Sequence, residues 1–262
     1  MKLTVIKRLL LNFYRLPRYL LYFFKVFLIF KNPISIIYFY ILRESPSNKI
    51  IELRDGLKIF LSDHESDLIT VFVVFIKEDY GKVKSGATVL DIGANIGSFS
   101  LFAAHFGAAK IYAYEPNKSA YEILLKNIVN NHLEDVIIPH NMAILDKNNE
   151  TVKIPSASSP YNEIVINNSN NTNYDLINTI NIDHIISNNE IKFIDVLKID
   201  CEGCEYCVFF NMKASTFIKI GAIRMEYHSG PNNRLISCLK TNNFDIIKIK
   251  RDSSCLHARQ II

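Results

Sequence analysis

From residue 86 to residue 228 the chain repeats one alternation. A short apolar run is followed by a turn, then by a longer segment whose apolar positions recur every three or four residues. Short unbroken runs suit strands buried on both faces, and the longer spacing suits helices packed by one face. "ATVLDIG" reads as a strand, "SFSLFAAHFG" as a helix closed by Gly107, and "AKIYAYE" as a second strand. "SAYEILLKNIVNNH" opens with Ser119 and Glu122 at capping-box spacing, and Tyr121, Leu124, Leu125 and Ile128 share one face. "DVIIPHNMAI" is a third strand, "KFIDVLKID" a fourth and "KIGAIRMEYH" a fifth, with a helix opening at "CEGCEYCVFFN" before the fifth. Strands alternating with helices predict an α/β fold, a mostly parallel sheet with helices on both faces. "NFDIIKIK" and "SSCLHARQI" are expected to close the sheet as an antiparallel pair.

The flanks differ. "KIIELRDGLKIFL" alternates around Asp55-Gly56 and predicts a β-hairpin, followed by a helix capped at Ser62 or Asp63 and ended by Gly81. Asn148–Asp175 is polar, with β-like patches at Thr151–Ile154 and Glu163–Ile166, and reads as an excursion over one rim. "NTINIDHIIS" adds a short strand and helix. Three regions follow: an arm (1–48), a hairpin and helix (49–85) and a Rossmann-like domain (86–262).

Charge separates the arm from the rest. Residues 1–43 hold eight cations and no acid, so within a total of +4 the remaining chain carries −4. "RYLLYFFKVFLIFKNPISIIYFYILR" is apolar and aromatic, but Lys25, Lys31 and Pro33 interrupt it before a spanning length of ~20 residues is reached. The arm reads either as an element lying on an anionic membrane surface or as a helical cap packed on the body. The first alanine is Ala87, so no signal-peptidase site of the Ala-x-Ala type is expected. The acidic body speaks against a nucleic-acid partner. Five cysteines suggest no disulfide framework, and the expected setting is cytoplasmic, at the inner face of the membrane if the arm binds lipid. Cys201, Cys204 and Cys207 lack the spacing of a radical-type cluster and are expected as buried, inert thiols; no metal site is expected.

The chemistry lies at the strand tips. Asp91, Gly93, Asn95 and Gly97 turn a buried strand into a helix whose free N–H groups and positive end face the turn. Glu115, at the tip of the second strand, is placed to accept both hydroxyls of a ribose. Gly93-x-x-x-Gly97 lacks the close glycine pair of a dinucleotide site. S-adenosylmethionine fits instead: it has no phosphate, and Asp91 suits its cationic end. Asp200, Glu202, Glu226 and His228 gather on the same rim and could orient an acceptor and take its proton. The order "DIGANIGSFS", "YEPNKSAYEILLKN", "HNMAI", "VLKIDCEGCEY" and "MEYH" resembles the FkbM family of S-adenosylmethionine-dependent methyltransferases, from about Lys49 to His228. That resemblance implies a class I methyltransferase fold, a seven-stranded sheet with its last strand antiparallel. It implies O-methylation, often of a sugar hydroxyl in a glycan, glycolipid or natural product. It also implies that Asp91, Gly93, Asn95 and Gly97 line the methionine part, Glu115 the ribose, and Asn141, Met142 and Ala143 the adenine. A reading from another class keeps the fold and the membrane surface but no transfer activity.

Overall fold

The computed structural model describes residues 19–155, 174–201, 203–227, 233–250 and 255–261. Two helices come first, α1 (residues 19–29) and α2 (Pro33–Leu42). The hairpin β1 (Ile50–Glu52) and β2 (Lys58–Phe60) follows, then α3 (Ser66–Phe72), which continues as a π-helical turn over Val73–Lys77. The expected helix therefore starts later than Ser62. Ser62 instead donates its N–H to Asp67 Oδ2 at 2.7 Å.

Next come β3 (Thr88–Ile92), α4 (Ser98–His105), β4 (Lys110–Tyr114), α5 (Lys118–Asn130) and β5 (Ile137–His140). A side sheet is made by β6 (Ala143–Ile144), β7 (Thr151–Pro155) and β8 (Tyr174–Ile180), ordered β6-β8-β7. The third predicted strand is thus two strands in two sheets. The break falls at Asn141, whose Nδ2 donates to the carbonyls of Glu115 and Pro116 at 2.8 and 3.0 Å and turns the chain away. The predicted patch at Glu163–Ile166 lies outside the described residues.

The chain then forms α6 (Ile182–Asn188), β9 (Val196–Ile199), α7 (Glu205–Asn211), α8 (Ala214–Phe217), β10 (Ala222–Glu226), α9 (Asn233–Thr241), β11 (Phe244–Lys250) and β12 (Cys255–Gln260). The main sheet has seven strands ordered β11-β12-β10-β9-β3-β4-β5. β3, β4, β5, β9 and β10 pair in parallel, while β12 runs antiparallel to both its neighbours. This is the expected class I arrangement. The final hairpin closes by inserting β12 between β10 and β11.

Alternation along the strands builds two cores. Val89, Ile111, Ala113 and Val196 face α3, α4, α5 and the arm. Leu90, Ile92, Leu197, Ile199, Ile223 and Met225 face α6 to α9. The arm belongs to the first core through Val26, Phe30 and Ile36.

Two departures concern α5. Its N-cap is Asn117, whose Oδ1 accepts the Ala120 N–H at 3.0 Å, rather than Ser119. Leu125 is turned outward, and Asn127 takes the buried place. Asn127 and Asn131, one turn apart, pair through their amides with the backbone of Phe60 and Lys58 at 2.7–3.0 Å. A helix turn rises about 5.4 Å and two strand residues about 6.6 Å, so the side chains of α5 complete the open edge of β2.

Candidate active site

The order of strands reverses at β3: β4 lies on one side and β9 on the other. Crevices at such a point, beyond the carboxyl ends of the strands, are where ligands bind in open α/β sheets. A cavity of about 280 Å³ lies here, walled by Gly93–Asn95, Ser98, Glu115–Asn117, Met142–Ile144, Lys198, Asp200, Glu226, Tyr80 and one face of α3.

The turn after β3 carries three residues with left-handed backbone, Gly93 (φ 70°), Asn95 (φ 51°) and Gly97 (φ 88°). At Gly93 a Cβ would overlap the carbonyl oxygen of Asp200, because the β9 tip packs directly on the turn. The N–H groups of Gly93 and Ala94 both reach Tyr114 O at 3.0 Å, which ties the turn to β4. The first helical residue, Ser98, is buried in the cavity wall, and its hydroxyl has no partner among the described residues.

Glu115 is buried beside it. Asn95 N–H donates to its Oε2 and Asn117 N–H to its Oε1, each at 2.7 Å. Each oxygen keeps acceptor capacity toward the cavity. Burial pushes the carboxyl up from its usual 4.5 to about 7, against the pull of those two N–H groups and of Lys198.

Lys198, on β9, is not among the site residues expected from the sequence. Its Nζ is buried 3.1 Å from Asp91 Oδ1 and 3.9 Å from Asp200 Oδ2, and it donates to Gly93 O at 2.6 Å. Burial alone would depress its pKa; the Asp91 and Asp200 carboxylates outweigh that and hold it above the ordinary lysine value. Asp91 therefore does not face the cavity. It lies behind the turn, held by Lys198 and by the Ser100 hydroxyl at 2.7 Å. From the sequence it is expected against a ligand's cationic end. Register decides otherwise, since side chains alternate across the pleat and Asp91 points toward α4. Gly97 and Asn141 likewise stand behind the wall, Asn141 bracing the tip of β4.

On the opposite rim Tyr80 joins two predicted carboxylates. Its hydroxyl donates to Asp200 Oδ2 at 2.8 Å and lies 3.1 Å from Glu226 Oε2. Burial and both carboxylates push the phenol well above its usual 10.0. Arg224 fixes the segment by donating to Tyr80 O at 2.5 Å, and His257 contacts Asp79 O at 2.7 Å. Glu202 and His228, the other two rim residues expected from the sequence, lie outside the described residues.

The cysteine expectation is overturned at one pair: Cys201 and Cys204 form a disulfide. Gly203, with φ 110°, folds the chain back so that the two sulfurs meet. Cys207 remains a thiol, raised by burial to about 11, with its Sγ 3.1 Å from Cys204 O.

The donor set can be tested against a nucleoside-bearing cation. Asp67, Glu115, Asp200 and Glu226 line the cavity against one lysine. That excess of carboxylate suits a sulfonium with an ammonium group and repels phosphate. The unpartnered Ser98 hydroxyl and the spare acceptor capacity of Glu115 supply polar contacts at two points. The residues fit S-adenosylmethionine.

The FkbM methyltransferase domain matches residues 91–249, more than half of the chain. The chain belongs to the FkbM methyltransferase family. S-adenosylmethionine is the methyl donor of this family. A ribosomal protein L11 methyltransferase of Bacillus cytotoxicus is 31% identical over 102 residues, covering 39% of this chain and 31% of that protein. One from Bacillus cereus is 28% identical over the same shares. The chain thus spans about a third of the length of the curated relatives it matches. Among solved structures, the FkbM methyltransferase of Methylobacillus flagellatus has a TM-score of 0.47 at 14% identity, covering 87% of this chain and 59% of that one. M. capricolum TrmK in complex with S-adenosyl-homocysteine has a TM-score of 0.41 at 13% identity, covering 70% and 66%.

Proposed function

We propose that the protein is an S-adenosylmethionine-dependent O-methyltransferase acting on a sugar hydroxyl of a glycan, glycolipid or natural product. The observation that carries this reading is the cavity at the β3 switch point, with Glu115 at one end and the Tyr80–Asp200–Glu226 group at the other. S-adenosylmethionine, when bound, supplies a methyl group made electrophilic by a positively charged sulfur. Glu115 accepts the ribose hydroxyls. The turn residues Gly93–Asn95, with the Ser98 hydroxyl, hold the amino-acid end, and Met142 and Ala143 cover the adenine. Asp91 and Gly97 act from behind, the first through Lys198 and the second by shaping the turn. Asn141 holds the β4 tip in place.

At the other end an alcohol must be oriented and must lose its proton. Asp200 and Glu226 are the described groups able to accept it, and the Tyr80 hydroxyl they share fixes their orientation. Glu202 and His228 belong to the same proposal from sequence alone. The two Bacillus relatives are, by their names, methyltransferases of ribosomal protein L11. The net −4 of residues 44–262 instead favours an acceptor without a phosphate backbone.

The test is transfer of radiolabelled methyl from S-adenosylmethionine to glycans, glycolipids, tRNA and ribosomal proteins presented side by side. Label in the sugar fractions, with turnover by Glu226→Gln reduced about a hundredfold and S-adenosylhomocysteine affinity retained, is the expected outcome. Label confined to RNA or protein overturns the acceptor assignment.

A further inference from the structure

The arm presents an apolar surface that the catalytic reading does not use. Ten of the seventeen exposed large hydrophobic side chains among the described residues fall within residues 19–42. The other seven are scattered over the rest of the chain. Leu20, Phe24 and Leu28 recur every four residues on α1, and Ile34, Tyr38 and Ile41 follow at intervals of four and three on α2; both spacings place the residues on one helical face. Leu28 and Ile34 are each 74% exposed and Ile41 70%. The opposite faces are spent on the protein: Val26, Phe30 and Ile36 are buried in the core. α2 carries no charge at all, and its only polar side-chain atoms are the hydroxyls of Ser35, Tyr38 and Tyr40. A helix that is apolar on all sides needs burial on all sides, and among the described residues only one side is covered.

Charge complementarity selects the occupant. Residues 1–43 contain no acid, and residues 1–18 alone hold Lys2, Lys7, Arg8, Arg15 and Arg18. Lys25 and Lys31 are already engaged with Glu78 and Glu52 at 2.8 and 2.9 Å, fastening the arm to the body. The sequence places five further cations and no acid just before this apolar face, and Arg43, at its end, is exposed; basic charge joined to an apolar helix face is the combination that binds an anionic bilayer surface. No helix among the described residues is long and apolar enough to cross a membrane. α2 is about 15 Å long against a hydrocarbon core of about 30 Å, and the described part of α1 is of similar length, which suits elements that lie in the interface plane.

We propose that α1 and α2 dock the protein on an anionic lipid bilayer, inserting Leu20, Phe24, Leu28, Ile34, Tyr38 and Ile41. Docking leaves the catalytic cavity one helix away. Phe72 of α3 stacks on Tyr40 at 3.9 Å and meets Tyr22 edge-on at 6.5 Å, while Ile69 and Thr70 of the same helix wall the cavity. A helix is about 10 Å across, so an acceptor carried by the bilayer has a short path to the site.

The experiment is flotation of the full chain with vesicles of phosphatidylcholine alone and of phosphatidylcholine mixed with phosphatidylserine. It needs no methyl transfer, so its outcome is separate from the activity reading. The parent is expected to float with the anionic vesicles, more weakly as salt rises. The triple variant L28E/I34E/I41E, at surface positions and verified as folded by circular dichroism and melting, is expected to bind at least about tenfold more weakly. Parent protein that stays with the soluble fraction overturns the proposal. So does a folded triple variant that still floats like the parent. Concentration-dependent self-association of the parent, abolished in the variant and without vesicle binding, would assign the face to a second copy instead.

Discussion

At the residue scale, the buried Lys198–Asp91 pair holds the glycine turn from beneath. Removing one member of a buried pair leaves an uncompensated charge, which costs more than the pair itself contributes. Lys198→Met is therefore expected to destabilise the protein by ~3–5 kcal/mol in denaturant titration, and Asp91→Asn in the same chain to recover part of that loss. A double variant no more stable than the single one would refute the pairing. The sequence did carry a signal for Lys198: a lysine inside the run Val196–Ile199 is rare in a fully buried strand. Glu115 yields a pH prediction. Its carboxyl titrates at about 7 in the folded protein against 4.5 ordinarily, so the folded state holds the proton longer than the unfolded one. Folding stability from this group is highest below the ordinary value and falls as pH rises toward 7. Cofactor affinity runs the other way, because ribose hydroxyls donate to the ionised form. Calorimetric titration with S-adenosylhomocysteine is expected to show tighter binding at about pH 8 than at about pH 6, a difference lost in Glu115→Gln. Equal affinity at both pH values in the parent would contradict the ribose role.

At the scale of elements, the strand–turn–helix from β3 to α4 is where geometry and chemistry meet. The two glycines of the turn are not equivalent. A Cβ at Gly93 meets backbone of the β9 tip, whereas one at Gly97 meets only the end of a side chain, Leu124 Cδ1, at 2.5 Å. Backbone cannot yield without separating two strands, and a leucine can rotate. Gly93→Ala is expected to lose more stability and more S-adenosylhomocysteine affinity than Gly97→Ala, which still carries the strain of a left-handed backbone. The reverse ranking in melting temperature and calorimetry would show that the turn, not the strand contact, sets the tolerance. The periodicity of α5 was legible, but its exact face was not. Asn127 is buried because its amide meets the backbone of β2, a partner 67 residues away in sequence. No local pattern announces such a pairing, since a polar residue on a helix normally marks its solvent side.

For the whole molecule, the arm is part of the same core as the sheet. Phe30 is fully buried, the backbone of Lys31 donates to Glu52 O at 2.9 Å, and that of Arg54 donates to Ile29 O at 2.9 Å. Phe30→Ala is expected to cost ~3–5 kcal/mol in global unfolding, with one cooperative transition. A separate early transition, or a cost below about 1 kcal/mol, would mean the arm folds apart from the body.

The sequence alone determined the strand–helix alternation, the sheet class, the glycine turn with its acid-tipped neighbouring strand, and the apolar basic arm. These are local signals: periodicity, turn chemistry and charge over a few residues. Tertiary structure decided which side of the sheet each acid faces. It turned Asp91 away onto Lys198, brought Tyr80 between Asp200 and Glu226, joined Cys201 to Cys204 and left one face of the arm exposed among the described residues. The disulfide joins cysteines three residues apart and depends on how the turn at Gly203 folds; the others depend on distances between segments far apart in the chain, which exist only once the strands have paired and the helices have packed.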